Sequence, residues 1–285
     1  MTPCTVAVQG ELGSNSELVA HAYFNDQPPS ILTCRTFNEL FSSVRGGDAD
    51  YAMAPVDNSL AGSIHEVWDL LMSDPLPIRG EVYLHVRHYL IARPSASLNQ
   101  IRRIYSHEQA LAQCQSFLAS LNGAQSEIVY DTAGAVTMIK NEGSDTDAAI
   151  APAQAARDHG MQILAEDIQS DDDNYTRFLV ISREGVAATE GDHKSALVVR
   201  LGDSARSLPA VLDLFAQRGL ELDKIESRKL VGHAWEYLCY LEIRGSLENP
   251  KVASALDELS PLVLEKKVIG SYPCGTKVEP PVIER

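Results

Sequence analysis

A change of rhythm near residue 184 constrains this chain more than any other feature. Before it, short apolar runs alternate with helical patterns that open on capping-box sequences. Val6-Ala7-Val8, Tyr51 to Ala54, Ile101 to Tyr105, Ile128-Val129-Tyr130 and Ala148-Ala149-Ile150 read as strands, and residues 81–92 form a long strand-rich stretch. Ser14-Asn15-Ser16-Glu17, Thr36-Phe37-Asn38-Glu39, Ser63-Ile64-His65-Glu66 and Ser106-His107-Glu108-Gln109 each place a hydroxyl three residues before an acid or amide, which is how a helix N-terminus satisfies its free N–H groups. After Ser106, Leu111, Cys114, Leu118 and Leu121 share one helical face. A further helix starts at Thr132. This alternation predicts an α/β unit with a largely parallel sheet in two lobes.

The small, polar segment EGVAATEGDH, 184–193, reads as a linker. Beyond it the order changes. Ala196 to Leu201 is a strand, and Leu208, Val211, Leu212 and Phe215 recur at core-facing helical spacing, with Gly219 at the helix end. Strands over 222–230 and 235–244, a helix over 250–259 and a strand over 262–269 complete β-α-β-β-α-β, the ferredoxin-like sandwich. The tail after Pro273 is expected to be loosely ordered.

Composition removes several classes. A chain of 285 residues that is 45 % hydrophobic can bury a core. The formal charge of −15 argues against a general nucleic-acid binder. The five cysteines, Cys4, Cys34, Cys114, Cys239 and Cys274, are widely spaced and form no C-x-x-C, so scattered reduced thiols are expected rather than a disulfide frame or a metal site. With no signal-peptide pattern and no membrane-spanning run, a soluble cytoplasmic protein is expected.

Polar clusters recur just after strands, where helices begin: Ser14-Asn15-Ser16, Asn58-Ser59, Ser106-His107 and Asp131-Thr132-Ala133-Gly134. In open α/β sheets ligands bind there, and helix N-termini hold anions without lysine. Each cluster alone is adequately explained as a cap. A further stretch, DDDNYTRFLVIS at 171–182, runs an acidic loop into a hydroxyl, a guanidinium and an aromatic at the start of a strand.

Taken in order, QGELGSNSE (9–17), APVDNSLAGSI (54–64), YSHEQALAQC (105–114), DTAGA (131–135), AAIAPAQAA (148–156), NYTRF (174–178), KIESR (224–228) and WEY (235–237) closely resemble prephenate dehydratases that carry a C-terminal ACT regulatory domain. The resemblance runs from about Val6 to Pro273. It implies a two-lobed, periplasmic-binding-protein-like catalytic domain over 1–183, with lobe one about 1–82 plus 163–183 and lobe two about 83–162. A ferredoxin-like ACT domain over 194–273 follows. It implies a carbon–oxygen lyase of phenylalanine biosynthesis that converts prephenate to phenylpyruvate, carbon dioxide and water without cofactor or metal. L-Phenylalanine is the implied effector, and a homodimer or homotetramer the implied assembly. The chain looks monofunctional, since its first strand begins almost at Met1.

Carried over residue by residue, the resemblance gives Thr176 the task of donating to the leaving hydroxyl or of orienting the donor, and Arg177 that of neutralising a substrate carboxylate. Asn58 and Ser59 would hold ring substituents, and Ser106 and Gln113 would serve binding and turnover. Thr132, Ala133, Gly134 and Ala135 would supply backbone N–H groups, Ser14, Asn15 and Ser16 would close the opposite wall, and Phe178 is either wall or core. A water or Asp57 is the candidate proton donor. In the ACT unit, Glu226, Ser227 and Arg228 match the effector motif, alongside Arg206, Ser207 and Leu208. The sequence departs from the family pattern at Asp57, where glutamate is common, at Lys229, where proline is usual, and at Arg206-Ser207-Leu208, where the family has Gly-Ala-Leu. Arogenate dehydratase and a non-catalytic amino-acid sensor are the competing readings.

Overall fold

The computed structural model describes residues 3–121, 123–185, 192–202, 204–230 and 236–280, with the side chains of 204–206 outside that description. In chain order the elements are β1 (Thr5–Gln9), α1 (Asn15–Tyr23), β2 (Ser30–Cys34), α2 (Phe37–Gly46), β3 (Tyr51–Asn58), β4 (Gly62–Ser63), α3 (His65–Ser73), β5 (Ile78–His85), β6 (Tyr89–Ala92), β7 (Arg103–Ser106), α4 (Glu108–Gln113), α5 (Gln115–Ser120), β8 (Gln125–Ile128), α6 (Thr132–Glu142), β9 (Asp147–Ala151), α7 (Ala153–His159), β10 (Gln162–Ala165) and β11 (Tyr175–Ser182). Then come β12 (His193–Leu201), α8 (Ser204–Gln217), β13 (Leu222–Lys229), β14 (Tyr237–Arg244), α9 (Pro250–Leu259), β15 (Glu265–Pro273) and β16 (Thr276–Val278). They form two compact units, one of Met1–Val67, Val82–Ile181 and Thr276–Arg285, the other of Trp68–Glu81 and Ser182–Gly275.

The first unit holds two sheets. One has the order β16-β5-β11-β3-β1-β2, with β4 beside β3, and the other has the order β10-β6-β9-β7-β8. Both are mixed, which corrects the expectation of a largely parallel sheet. β1 runs parallel to β2 and β3, and β7 parallel to β8 and β9, but β6 is antiparallel to β9 and β10. The apolar stretch over 81–92 divides between the sheets as β5 and β6, and the chain crosses at residues 86–88. Thr36 caps α2 as its capping box predicts, accepting from the Glu39 N–H at 3.1 Å.

Two local departures have clear causes. The helix after Ser106 breaks at Cys114 into α4 and α5, because the Gln113 carbonyl, which would serve the next helical turn, accepts instead from the Ser170 N–H at 2.7 Å. The face formed by Leu111, Cys114, Leu118 and Leu121 still packs on one core. The tail after Pro273 forms a strand within its described part, residues 274–280: β16 lies parallel to β5, pairing Thr276 with Val82 and Val278 with Leu84. Val278 packs against the core under Val82, Leu84 and Phe178, and the Lys277 ammonium sits 4.3 Å from the centre of the Tyr175 ring.

The second unit contains β12-α8-β13-β14-α9-β15 in that order, with the sheet arranged β13-β14-β12-β15 and every pair antiparallel, which is the ferredoxin-like sandwich. Val211 and Phe215 of α8 and Val252, Ala255 and Leu259 of α9 pack on Leu197, Val199 and Leu241. Leu208 joins that core, and Leu214 joins it in place of Leu212. Residues 186–191 of the expected linker, and Trp235 of the WEY sequence, lie outside the described residues.

Removing residues 276–285 takes away a paired strand and the half-buried Val278. Chemical denaturation of the shortened chain is expected to show a loss of ~1–3 kcal/mol.

Candidate active site

The ends of β1, β3 and β7, the turns that follow them and the start of β11 open on one cleft in the first unit, of about 420 Å³ and within the range of small-ligand sites. Ser14, Asn15, Ser16, Asn58, Thr132, Thr176 and Phe178, all singled out in the sequence, line it. Gln9, Phe37, Pro55, Ile64, His107, Gln109, Tyr130 and Asp131 complete the wall. No lysine or arginine stands among these, so an anion here meets helix ends and hydroxyls rather than cationic side chains. Asn15 and Ser16 place the first turn of α1 on the cleft, where unspent N–H groups and the helix dipole favour negative charge. The preceding turn approaches closely. Gly13 has φ +85°, and a Cβ there would stand 2.8 Å from the Ala155 Cα.

Asn58 organises the floor. Its Oδ1 accepts from the backbone N–H groups of Leu60 and Ala61 at 3.1 and 2.9 Å, and from Gln113 Nε2 at 3.2 Å. Its Nδ2 reaches Asn174 Oδ1 at 2.8 Å, the Tyr175 carbonyl at 3.2 Å and Thr176 Oγ1 at 3.0 Å. Backbone N–H groups only donate and a backbone carbonyl only accepts, so the orientation of this amide is fixed by its surroundings. Thr176 Oγ1 therefore accepts from Asn58, and its own proton is available to a group in the cleft that Thr176 lines.

Strand alternation assigns Thr-Arg-Phe two different faces. Thr176 and Phe178 face the cleft. Arg177 between them is 6 % exposed and lies on the opposite face of β11. Its Nε donates to Asp57 Oδ2 at 2.9 Å and its Nη2 bonds the same oxygen, while Ser63 Oγ donates to Asp57 Oδ1 at 2.6 Å. Arg177 thus ties β11 to β3 with Asp57 as a counter-ion, and neither is among the residues lining the cleft.

Other expected residues also stand elsewhere. Ser106 is fully buried and donates to the Ile150 carbonyl at 2.6 Å, joining β7 to β9. Gln113 sits behind Asn58 and reaches the cleft only through it. Ser59 is exposed, donates to the Asp173 carbonyl at 2.6 Å and accepts from the Tyr175 N–H at 2.8 Å, so it pins the start of β11. Ala133 and Ala135 are core, and the Gly134 N–H donates to Asp131 Oδ1 at 2.7 Å. The Gly134 N–H is thus engaged by Asp131, while Thr132 lines the cleft.

Asp131 itself was legible only as a cap. It lines the cleft, and burial first of all, with the nearby Glu11 carboxylate adding to it, holds its carboxyl above the ordinary carboxylate range against its backbone hydrogen bonds. His107, the N-cap of α4, accepts from the Gln109 N–H at 3.3 Å and also faces the cleft. Among the described residues no cluster of His, Cys, Asp and Glu has the geometry of a metal site.

In the second unit, Arg228 Nη1 and Tyr240 Oη both reach Asp69 Oδ1, at 2.7 and 3.1 Å, and Lys224 pairs with Glu226 at 3.0 Å. β13 alternates, so Glu226 and Arg228 share the half-buried face while Ser227 lies on the exposed one. Leu208 is committed to the core, Ser207 is half-buried in α8, and the Arg206 side chain lies outside the described residues.

The class defined by this fold and cleft is also found by comparison. The family model for prephenate dehydratase matches residues 6–186. The arogenate dehydratase/prephenate dehydratase 2 of Arabidopsis thaliana is 39 % identical over 282 residues, 95 % of this chain and 73 % of the relative. A prephenate dehydratase from Arthrobacter aurescens, solved in complex with L-Phe, superposes with TM-score 0.84 at 30 % identity, over 94 % of this chain and 89 % of that one. GqqA, described as a novel type of quorum quenching acylase, gives TM-score 0.83 at 32 % identity, over 95 % and 98 % of the two chains. The chain belongs to the prephenate dehydratase family.

Arg177→Gln should leave Asp57 without its cation and lower the stability of the first unit by ~3 kcal/mol in urea denaturation. A carboxyl whose folded pKa is raised contributes stability that is fully present below its unfolded value, 3.8. That contribution is lost as pH rises through the folded value. The wild type should therefore lose stability relative to Asp131→Asn as pH rises above about 4, with asparagine retaining the cap. Parallel melting curves across that range measure the difference.

Proposed function

We propose that this chain is a prephenate dehydratase in which Thr176 is the hydrogen-bond donor to the departing hydroxyl. The observation carrying the reading is the fixed Asn58 amide, which occupies the Thr176 oxygen as acceptor and so leaves its proton available to a group in the cleft. The reaction takes up one proton. The bond from the ring to its carboxylate breaks and releases carbon dioxide, its electron pair enters the ring, and the carbon–oxygen bond at the far carbon breaks. The hydroxyl leaves with the proton as water, and the ring of phenylpyruvate becomes aromatic. The protein's task is to hold a dianion and to stabilise charge on the departing oxygen, where one well-aimed donor contributes roughly 2.7–4 kcal/mol.

The roles divide by position. The first turn of α1, with Asn15 and Ser16, receives a carboxylate. Phe178 and Ile64 give the ring an apolar wall. Asp131, its carboxyl held high, supplies the proton that Thr176 is too weak an acid to supply alone. Thr132 and His107 bracket the substrate from the other side of the cleft.

Residues 194–273 act as an ACT unit that binds L-phenylalanine, with Glu226, Ser227 and Arg228 contributing at the face shared by two copies in a homodimer or homotetramer. Feedback by the end product is supported by the L-Phe complex of the Arthrobacter relative. The enzyme works in the cytoplasm. Arogenate, with an amine in place of the ketone, is the second substrate to measure, since the Arabidopsis relative is named for both activities. The acylase description of GqqA belongs to that protein, and it illustrates that a shared fold does not choose a reaction.

The test is phenylpyruvate formation from prephenate, followed by absorbance in alkali, with and without phenylalanine and beside arogenate. Thr176→Ala should lower kcat by ~10²–10³ with the melting temperature unchanged, and Thr176→Ser should restore most of it. Near-normal turnover in Thr176→Ala would remove Thr176 from the mechanism.

A further inference from the structure

His88 is 3 % exposed, stands on the segment that crosses from β5 to β6, and takes no part in the chemistry described so far. Its main chain is held on both sides: the N–H donates to Gln169 Oε1 at 3.0 Å, and the carbonyl accepts from the Ile168 N–H at 3.0 Å. Its ring Nε2 stands 2.8 Å from Gln113 Oε1, and its Nδ1 is buried without a hydrogen-bond partner among the described residues.

The donor and acceptor roles along this chain are set from one end. Leu60 and Ala61 N–H fix Asn58 Oδ1 as an acceptor, so the Gln113 atom facing it is the Nε2 donor. Gln113 Oε1 then faces Asn174 Nδ2 at 3.1 Å and His88 Nε2. An acceptor on that side obliges His88 Nε2 to carry the hydrogen and leaves Nδ1 bare. Burial lowers the basicity of the ring, against the hydrogen bond to Gln113.

We infer that His88 is a positioning residue: its Nε2–H holds the Gln113 amide in the one orientation that donates to Asn58, and through Asn58 it presents the Thr176 hydroxyl as a donor to the cleft. Without it, the buried Gln113 oxygen keeps only the Asn174 Nδ2 donor, so the amide facing Asn58 is held less firmly and the grip of Asn58 on Thr176 loosens. The inference rests on the dehydratase reading of the cleft, but the proton placement it requires does not.

Two matched substitutions test it. Glutamine and methionine are similar in length, and only glutamine donates. His88→Met should lower kcat at least tenfold with KM within about threefold of wild type, because the damage falls on the donor and not on the substrate-binding wall. His88→Gln should keep kcat within about threefold. In a Gln113→Ala background, His88→Met should cost almost nothing further. Equal kcat in the two His88 variants, or losses that multiply with Gln113→Ala, would overturn the inference. Independently of any turnover, ring nitrogen and carbon shifts of His88 in the wild type at about pH 8, above the ordinary imidazole range, should report the Nε2–H tautomer. A proton on Nδ1 would overturn the inference even in an active enzyme. A wild type that does not turn over prephenate would sink the dehydratase reading instead, and the tautomer would still decide the network.

Discussion

The Asn58 amide is the contact on which the cleft depends. It stands 5 % exposed at the end of β3, and both its ends are occupied by groups of fixed polarity. A single such hydrogen bond contributes only about 1 kcal/mol net, but a buried polar group left without its partner costs more. In a network that is satisfied at every member, no side chain can reverse without stranding another. Asn58, Gln113, Asn174 and Thr176 come from β3, α4, the loop before β11 and β11 itself, so one amide ties the two sheets of the first unit to a single geometry at the Thr176 hydroxyl. The break between α4 and α5 belongs to the same design: Ser170 draws off the Gln113 carbonyl and stops the helix where the Gln113 side chain is needed.

A chain with a formal charge of −15 must still admit an anion. The cleft meets that requirement with dipoles rather than cations. The first turn of α1 faces it, while the buried Arg177 charge is spent on Asp57 behind the strand. Asp131 makes the second helix end different in kind. It takes the Gly134 N–H for itself, so that end offers a carboxyl group with a raised pKa. Two helix N-termini that look alike in sequence therefore differ in structure: the first turn of α1 itself lines the cleft, while α6 is capped by the Asp131 carboxyl, which lines it in turn.

Much of the fold was legible because it follows from local rules. Helix starts at Ser14 and Thr36 are written in side chains that satisfy backbone N–H groups within four residues. The β-α-β-β-α-β order of the second unit is written in periodicity. What local rules do not encode is pairing. The antiparallel run of β6 against β9 and β10 depends on partners some sixty to seventy residues away, as does the placement of β16 beside β5 almost two hundred residues earlier. Nothing within Thr276 to Val278 announces a strand apart from one valine and one β-branched threonine.

At the site, residue types were legible and directions were not. Thr176, Arg177 and Phe178 are adjacent in sequence, and a resemblance treats them as one signature. A strand's two-residue period must place the middle one on the far face, and Arg177 is accordingly the anchor that holds β11 against β3 through Asp57. The same parity explains why Asn58 faces the cleft and Asp57 does not. Had the alternation been applied from Phe178, whose apolar ring belongs with the wall, the division would have followed from sequence alone. His88 had no such signal. A histidine between two apolar strands is ordinarily a packed core residue, and only its register against Gln113, twenty-five positions on and across a crossover, gives its ring a bearing on the hydroxyl of Thr176.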